Sequence, residues 1–248
     1  MRAIQEPAEK EILGPSRQYV EQSAKRYKKR VLENVSTSKD YVIRGVLSWD
    51  KLLGIAEEAG ILRKKIGDPI SKVWNISGQR ELENVYDMVG TDKDPVFSHP
   101  EALARDITRM ADQISESTGR SIKKAITRDL RAGLSVEEIA ENVERLGIFN
   151  PSRSMRIART ESARAVNDAA SQAYRQAKAD LDIDIQKQWL SSRDDKVREA
   201  HQILDGQIVG VDENFTVDGE EAQSIADFGS SYLDVNCRCT IIPLLPED

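Results

Sequence analysis

The sequence predicts a mainly α-helical protein that ends in a small α+β module. Apolar residues recur at helical spacing through much of residues 16–180, and from Asp182 that spacing gives way to the alternation of a β-strand. Apolar residues make up 39% of the chain, below the average for globular proteins, and charged residues 31%, above it. We therefore expect elongated helical N-terminal and middle regions around a modest core. The expected division is an N-terminal helical region with a tail (1–100), a helical stalk (101–181) and a compact α+β module (182–248).

Composition argues against several classes of function. The net charge is −6, so the chain as a whole is not expected to bind nucleic acid electrostatically, although a local basic patch could. No segment approaches the roughly 18 apolar residues of a membrane span, and residues 1–7 lack the apolar run of a signal peptide. Cys237 and Cys239 are the two cysteines, and a single intervening residue makes them a poor disulfide pair. We therefore expect a reducing compartment and no membrane partner.

The first helix is predicted to begin at Ser16. Residues 1–15 contain two prolines and no clear period, so we expect an extended tail there. An apolar stripe then follows helical spacing at Val20, Ala24, Tyr27 and Val31. The opposite side of this helix, called here the basic face, consists of Lys25, Arg26, Lys28, Lys29 and Arg30. This face is either a solvated surface or a contact for an acidic partner or a phosphate backbone. In the second case, DNA binding would be weak and salt-sensitive, with about five phosphates neutralised.

Residues 35–100 are predicted to form several short helices. Apolar positions indicate them at Val42, Ile43, Val46, Leu47, Leu52, Leu53, Ile55 and Ile61. Glycine and proline are predicted to interrupt them at Gly60, Gly67-Asp68-Pro69 and Gly78. Loops are expected at residues 91–95 and 98–100, and His99 is predicted to be a surface loop residue.

Capping and turn residues delimit the helices predicted between residues 101 and 150. Their ends are expected at Gly119, Gly133 and Gly147. Ser135 and Glu138 have the spacing of a capping box, in which each side chain binds the other residue's backbone amide. Asn150 and Pro151 suit the N-cap and first position of the following helix.

The helix predicted over residues 151–180 is rich in alanine and carries polar residues along one side. These residues, called here the polar stripe, are Thr160, Arg164, Asn167 and Ser171. Their spacing is helical, so they share one face. The polar stripe is either solvated or an interface with the C-terminal module.

The C-terminal module is predicted to contain short strands around one short helix. Ile183, Ile185 and Trp189 share strand parity, and Asp194 or Asp195 is expected to cap the helix that follows. That helix should present Val197, His201 and Leu204 inward. Turns are expected at Asp205-Gly206 and Asp218-Gly219, strands at 207–211 and 239–242, a loop at 220–235, and a stop at Pro243. The expected core consists of Trp189, Val197, Leu204, Val209, Phe215 and Ile241.

The order of polar and aromatic residues in this module resembles a known signature. The residues are Trp189, Asp194, Asp195, Arg198, His201, Asp205, Gly206, Phe215, Asn236, Cys237, Arg238, Cys239 and Thr240. The order is similar to the C-terminal signature of the phage head morphogenesis family, the Mu gpF-like or SPP1 gp7-like minor head proteins. The stretch 158–162, with Asn167 after it, is also similar to that family. The resemblance covers roughly residues 100–243, and the stretch 227–232 departs from the family pattern.

The resemblance implies a minor structural protein of a tailed-phage head. Such a protein is made in the host cytoplasm, enters the capsid in few copies, and lies at the portal vertex or inside the capsid. It assists head assembly and DNA packaging or ejection. The implied partners are the portal protein, the major capsid or scaffold protein and, weakly, genomic DNA. Related modules also occur in toxin-bearing fusions.

The chemistry of the signature leaves two alternatives open. His201, Cys237 and Cys239, with Asp194 or Asp195 as a further ligand, could bind zinc. Against zinc, structural sites normally separate cysteines by two to four residues, and strand alternation would point these two sulfurs to opposite faces. Without zinc, the cysteines are small, partly buried residues and His201 is a hydrogen-bonded core histidine.

Catalysis has a weaker basis in the sequence. Asp194, Asp195 and His201 could belong to a metal-dependent nuclease or toxin-like enzyme acting on nucleic acid, but acidic pairs at helix starts are common caps. We therefore predict no catalytic residues. Arg198 and Arg238 are expected instead to pair with Asp194, Asp205 or Asp234, and so to tie the module together.

Overall fold

The computed structural model describes residues 2–35 and 48–245, and it confirms a mainly α-helical fold with a small module of antiparallel strands at the C-terminal end. The predicted positions Val42, Ile43, Val46 and Leu47 lie outside the described residues. The helices are α1 (Arg2–Arg30, followed by a π-helical turn at Val31–Val35), α2 (Trp49–Leu53), α3 (Ile55–Val89), α4 (Pro100–Arg131), α5 (Val136–Glu144), α6 (Pro151–Leu181), α7 (Glu199–Leu204) and α8 (Ser231–Asp234). The strands are β1 (Gln186–Leu190), β2 (Ile208–Gly210), β3 (Phe215–Val217), β4 (Glu220–Ala222) and β5 (Thr240–Leu244).

The chain divides into two compact units, each with its own core. Unit 1 comprises Met1–Ile12, Pro69–Leu103 and Ala158–Asp248, and unit 2 comprises Leu13–Asp68 and Ala104–Ile157. Both units draw on separated segments of the sequence. The division of the chain into domains 1–100, 101–181 and 182–248 stays a prediction.

The tail predicted over residues 1–15 is wrong, because α1 already begins at Arg2. The two prolines of this stretch lie within the helix, where each lacks the N–H of a helical hydrogen bond. Ala8 and Ile12, one helical turn apart, are buried in the protein. Burial of this apolar side stabilises the helix at positions that local propensity disfavours. The apolar stripe from Val20 to Val31 is buried.

Several glycines predicted to break or end helices instead lie inside them. Helix α3 runs unbroken through Gly78, and α4 runs unbroken through Gly119. A Cβ atom on Gly78 would lie 2.1 Å from the Phe97 ring, and one on Gly119 would lie 2.5 Å from Ile55. These glycines therefore permit close packing of a neighbouring side chain, and Ile55–Val89 is one long helix where several short ones were predicted.

Local capping signals are confirmed. The Ser135 amide donates to Glu138 at 2.8 Å, and the Glu138 amide donates to the Ser135 hydroxyl at 3.2 Å. The Asn150 side chain accepts from the Arg153 amide at 2.9 Å at the start of α6. The helix end predicted at Gly147 is wrong, because α5 ends at Glu144 and Gly147 opens a 3-10 turn.

The C-terminal module is built on a three-stranded antiparallel sheet in the order β2-β1-β5, with β3 and β4 forming a separate hairpin. The hairpin turns at Asp218 and Gly219, as predicted, and both have positive φ. Of the predicted core, four residues are buried and two, Val197 and Val209, are only half-buried. The buried four are Trp189, Leu204, Phe215 and Ile241.

Two strand predictions in the module need correction. The loop predicted over 220–235 contains strand β4 and helix α8. Pro243 does not end the last strand, because it lies within β5, opposite Lys187. Strand β5 is at the edge of the sheet, where proline is tolerated because one side of the strand needs no hydrogen-bond donor.

Candidate metal centre and its supporting helix

The polar stripe of α6 is buried and contacts the C-terminal module. The Thr160 hydroxyl accepts a hydrogen bond from the Asn236 amide at 3.0 Å. Arg164 donates two hydrogen bonds to the Ala226 carbonyl, at 3.0 and 2.8 Å, and also pairs with Glu161 at 2.8 Å. Of the two alternatives left open by the sequence, these contacts support the interface.

Asn167 makes three hydrogen bonds, two of them to the C-terminal module. Its Oδ1 accepts from the Ile241 amide at 2.9 Å and from the Thr240 hydroxyl at 3.0 Å, and its Nδ2 donates to the Ala163 carbonyl at 2.7 Å. Asn167 is fully buried. One helix side chain therefore holds the start of β5 and fixes the segment that precedes it.

That segment brings both cysteines to one histidine. Nδ1 of His201, on α7, lies 3.5 Å from Sγ of Cys237 and 3.4 Å from Sγ of Cys239. All three residues are buried, and their ligand atoms lie within 4.8 Å of one another. The alternation argument does not apply, because β5 begins only at Thr240 and Asn236 has a left-handed φ of 58°. These three residues are called here the Cys/His cluster.

The two thiols of the Cys/His cluster are unlike each other. A hydrogen bond from Cys237 and the nearby His201 lower the pKa of Cys239, although burial opposes this. The hydrogen bond with Cys239 and burial raise the pKa of Cys237. Of the two thiols, Cys239 therefore has the lower pKa.

An aromatic group encloses the other side of the cluster. The Trp189 ring meets the His201 ring edge-on at 5.6 Å, and it packs against Phe215 at 5.3 Å and Phe228 at 6.0 Å. Nε2 of His201 is buried and has no hydrogen-bond partner among the described residues. The predicted burial of His201 beside the cysteine segment is confirmed.

Arg238 ties the cysteine segment to the loop before α7. It pairs with Asp194 through two hydrogen bonds, one of them 2.7 Å from Nη2 to Oδ1, and this lowers the pKa of Asp194 to about 2. Asp194 therefore does not cap the helix. The N-cap of α7 is Arg198, without a side-chain cap, and Asp195 is exposed.

The other predicted ion pairs of the module are replaced by different contacts. Arg198 donates to the backbone carbonyls of Leu233 and Val235. Asp205 pairs with Arg193 at 3.0 Å. Asp234 accepts from the backbone of Phe228 at 3.0 Å. The backbone, which the sequence pattern does not reveal, supplies most of these partners.

A cavity of about 190 Å³ opens onto the Cys/His cluster. Four basic side chains help to line it: Arg159, Lys196, Arg198 and Arg238. Arg159 pairs with Glu9 at 3.3 Å. The sequence had not singled out Arg159 or Lys196 as site residues, because neither has a distinctive spacing from the signature.

The basic face and His99, which the sequence also singled out, are distant in sequence from the Cys/His cluster. Four residues of the basic face pair with carboxylates: Arg26 and Arg30 with Glu58, Lys28 with Glu144, and Lys29 with Glu33. Phosphate binding by the basic face stays a prediction. His99 lies in the predicted loop, half-buried, with Nε2 at 3.0 Å from the Gln176 side chain.

Comparison with known proteins identifies the segment that holds this arrangement. Residues 120–242 match the family model described as Phage Mu protein F like protein. This part of the chain is similar to the phage head morphogenesis family. The family segment contains α6 with its polar stripe, the Cys/His cluster and the Asp194–Arg238 pair.

Individual relatives have different names. The chain is 35% identical over 143 residues to the NAD(+)–arginine ADP-ribosyltransferase EFV of Enterococcus faecalis, covering 58% of the chain and 28% of that protein. It is 27% identical over 149 residues to the minor head protein GP7 of Bacillus phage SPP1, covering 60% and 45%. It is 26% identical over 142 residues to the uncharacterized protein YqbB of Bacillus subtilis, covering 55% and 45%.

The chain spans less than half the length of each of these relatives. No solved structure matches the chain. Within the described residues, no helix has both the length and the apolar character needed to cross a membrane.

Proposed function

We propose that this protein is a minor head protein of a tailed bacteriophage that assists head assembly and DNA packaging or ejection. It is made in the host cytoplasm and resides in the virion, at the portal vertex or inside the capsid. One observation carries this proposal: the family match at residues 120–242 includes the whole buried interface between α6 and the cysteine segment. The match to the SPP1 minor head protein supports the same assignment.

The proposed partner is the portal protein or the major capsid or scaffold protein, contacted mainly by helices within residues 1–180. A groove of about 290 Å³ in unit 1 is the candidate surface. Ala8 of α1 and Val73 and Ile76 of α3 line it, and Ile76 is 60% exposed. Lys72 pairs with Glu11 at 3.0 Å at the same groove. An apolar floor with a charged border is typical of a protein-binding surface.

The same geometry supports a structural role for the signature residues. Asp194, a candidate acid of the nuclease alternative, is held by Arg238, and the Cys/His cluster is buried. The segment shared with EFV is 28% of that protein, and a segment of similar length is shared with the SPP1 minor head protein. We therefore assign no catalytic function to it.

Co-expression with the portal and capsid proteins of the same phage tests the proposal. Tagged full-length protein should co-sediment with the assembled heads. Ile76→Asp should abolish this, because a charge in the groove must be desolvated on binding. Ile203→Asp is the matched control, since Ile203 on α7 is also 60% exposed but lies in the C-terminal module. Full-length protein that never co-sediments would contradict the proposal.

Two activity assays address the enzyme alternatives. The purified protein should neither cleave DNA or RNA with divalent metal nor transfer ADP-ribose from NAD(+) to arginine. Cleavage that requires Asp194 would favour the nuclease alternative. Transfer to arginine would extend to this chain the activity named for EFV.

A further inference from the structure

We propose that His201, Cys237 and Cys239 bind one zinc ion, with His201 coordinating through Nδ1. This site goes beyond the proposed function, because it holds whether or not the protein binds a head component. It would join helix α7 to the segment that leads into β5, which are otherwise connected by a long stretch of chain.

The distances among the ligand atoms match those of a metal site. Zinc bonds of about 2.0–2.1 Å to nitrogen and about 2.3 Å to sulfur, at tetrahedral angles, place nitrogen and sulfur about 3.5 Å apart. The observed distances from Nδ1 of His201 are 3.5 Å to Cys237 and 3.4 Å to Cys239. Both sulfurs therefore lie at the distance from the histidine nitrogen that shared coordination requires, and all three ligand atoms lie within 4.8 Å of one another.

The donor set selects the type of metal. Two cysteine sulfurs and an imidazole nitrogen suit zinc and other thiophilic ions, whereas magnesium and calcium prefer oxygen ligands. A neutral His201 with its proton on Nε2 leaves the Nδ1 lone pair available to a metal, and Nδ1 lies within 3.5 Å of both sulfurs. Nε2 is buried and has no partner among the described residues, so no hydrogen bond opposes that tautomer.

The coordination sphere contains three protein ligands. No fourth Cys, His or carboxylate joins the Cys/His cluster within residues 2–35 and 48–245. Asp194, a candidate fourth ligand from the sequence, is held by Arg238. The remaining position faces the 190 Å³ cavity, where a solvent molecule would complete a tetrahedron.

The test uses the full chain, purified under reducing conditions without chelator. Elemental analysis should find about one zinc per chain. Cobalt added to the metal-free protein should give sulfur-to-cobalt charge-transfer absorption and the visible bands of a tetrahedral site. A chelator should lower the thermal midpoint, and zinc should restore it, because the metal binds only the folded state.

Single substitutions assign the ligands. Cys239→Ser and His201→Ala should each weaken cobalt binding by about 100-fold or more. His99→Ala is the control, since His99 is the other histidine of the chain and bonds Gln176 instead. It should bind cobalt as the unmodified protein does. The chelator experiment needs no substitution, so a variant that fails to fold does not remove the test.

Three results would overturn the proposal. The first is reduced, folded protein that gives no charge-transfer band with cobalt and contains no zinc by elemental analysis. Alternatively, the isolated protein could carry a Cys237–Cys239 disulfide and no metal, seen as a mass lower by two hydrogens. Cobalt binding that survives Cys239→Ser and His201→Ala would place the metal elsewhere and equally refute this site.

Discussion

Asn167→Ala should weaken the attachment of the terminal strand to helix α6. Alanine removes the one acceptor shared by the Ile241 amide and the Thr240 hydroxyl. A buried donor without a partner costs about 1–3 kcal/mol, and the Ile241 amide is such a donor. The Thr240 hydroxyl loses less, because the Ile241 carbonyl lies 3.4 Å away as a second acceptor. With about 1 kcal/mol for the cavity, the expected loss is about 2–4 kcal/mol.

Urea denaturation measures this loss as a lower unfolding midpoint with an unchanged slope. Ser171→Ala is the matched control, because Ser171 lies one turn further along the polar stripe and is equally buried. Its hydroxyl has no hydrogen-bond partner among the described residues, so its removal should cost less than about 1 kcal/mol. Equal losses in the two variants would refute the claim that Asn167 anchors β5.

Three further predictions concern buried and surface charges. Glu58→Gln should lower the free energy of unfolding by about 2–4 kcal/mol, because buried Glu58 binds both Arg26 and Arg30. Glu57→Gln is the control and should lower it by less than about 1 kcal/mol, because Glu57 is exposed. Thermal or urea unfolding compares the two variants. Burial lowers the pKa of Lys187 from 10.5 to about 8, so the folded protein binds fewer protons than the unfolded chain between these values. The free energy of unfolding should therefore rise with pH from about 8 to 10.5, by up to about 3 kcal/mol, and Lys187→Met should lack this rise. Four residues of the basic face are already ion-paired, so only one cation is left to bind phosphate. A plot of the logarithm of the DNA-binding constant against the logarithm of salt concentration should therefore have a slope of about −1. A slope of about −4 would show that all five cations bind phosphate.

Local signals in the sequence predicted the structure correctly where that structure depends only on residues close together in the chain. The Ser135–Glu138 capping box and the Asn150 N-cap are satisfied within three residues of each position, so the pattern alone predicts them. Gly78 was misread because its role depends on Phe97, which comes from a loop 19 residues later and packs where a Cβ would lie. A glycine that breaks a helix and a glycine that admits a neighbour look the same in sequence.

The residues of the Cys/His cluster were predicted from the sequence, but their geometry was predicted only in part. The resemblance brought His201 and the two cysteines together, and the structure places them in contact. Strand alternation predicted that the two sulfurs point to opposite faces. That prediction assumed an extended backbone, whereas Asn236, just before Cys237, has a left-handed φ that the sequence pattern does not reveal. The burial of Lys187 was not predicted, because it depends on the carbonyls of distant residues that accept from its amine.

The central claim is that this chain is a component of a tailed-phage head, and the most direct test is its location in intact particles. Electron cryomicroscopy of purified heads, reconstructed around the portal vertex without imposing capsid symmetry, should show density at the portal or the inner capsid wall. That density should fit helix α6 with the C-terminal module, and it should vanish in particles assembled without the protein. Particles with identical density in both cases, and no trace of the chain by mass spectrometry, would contradict the claim.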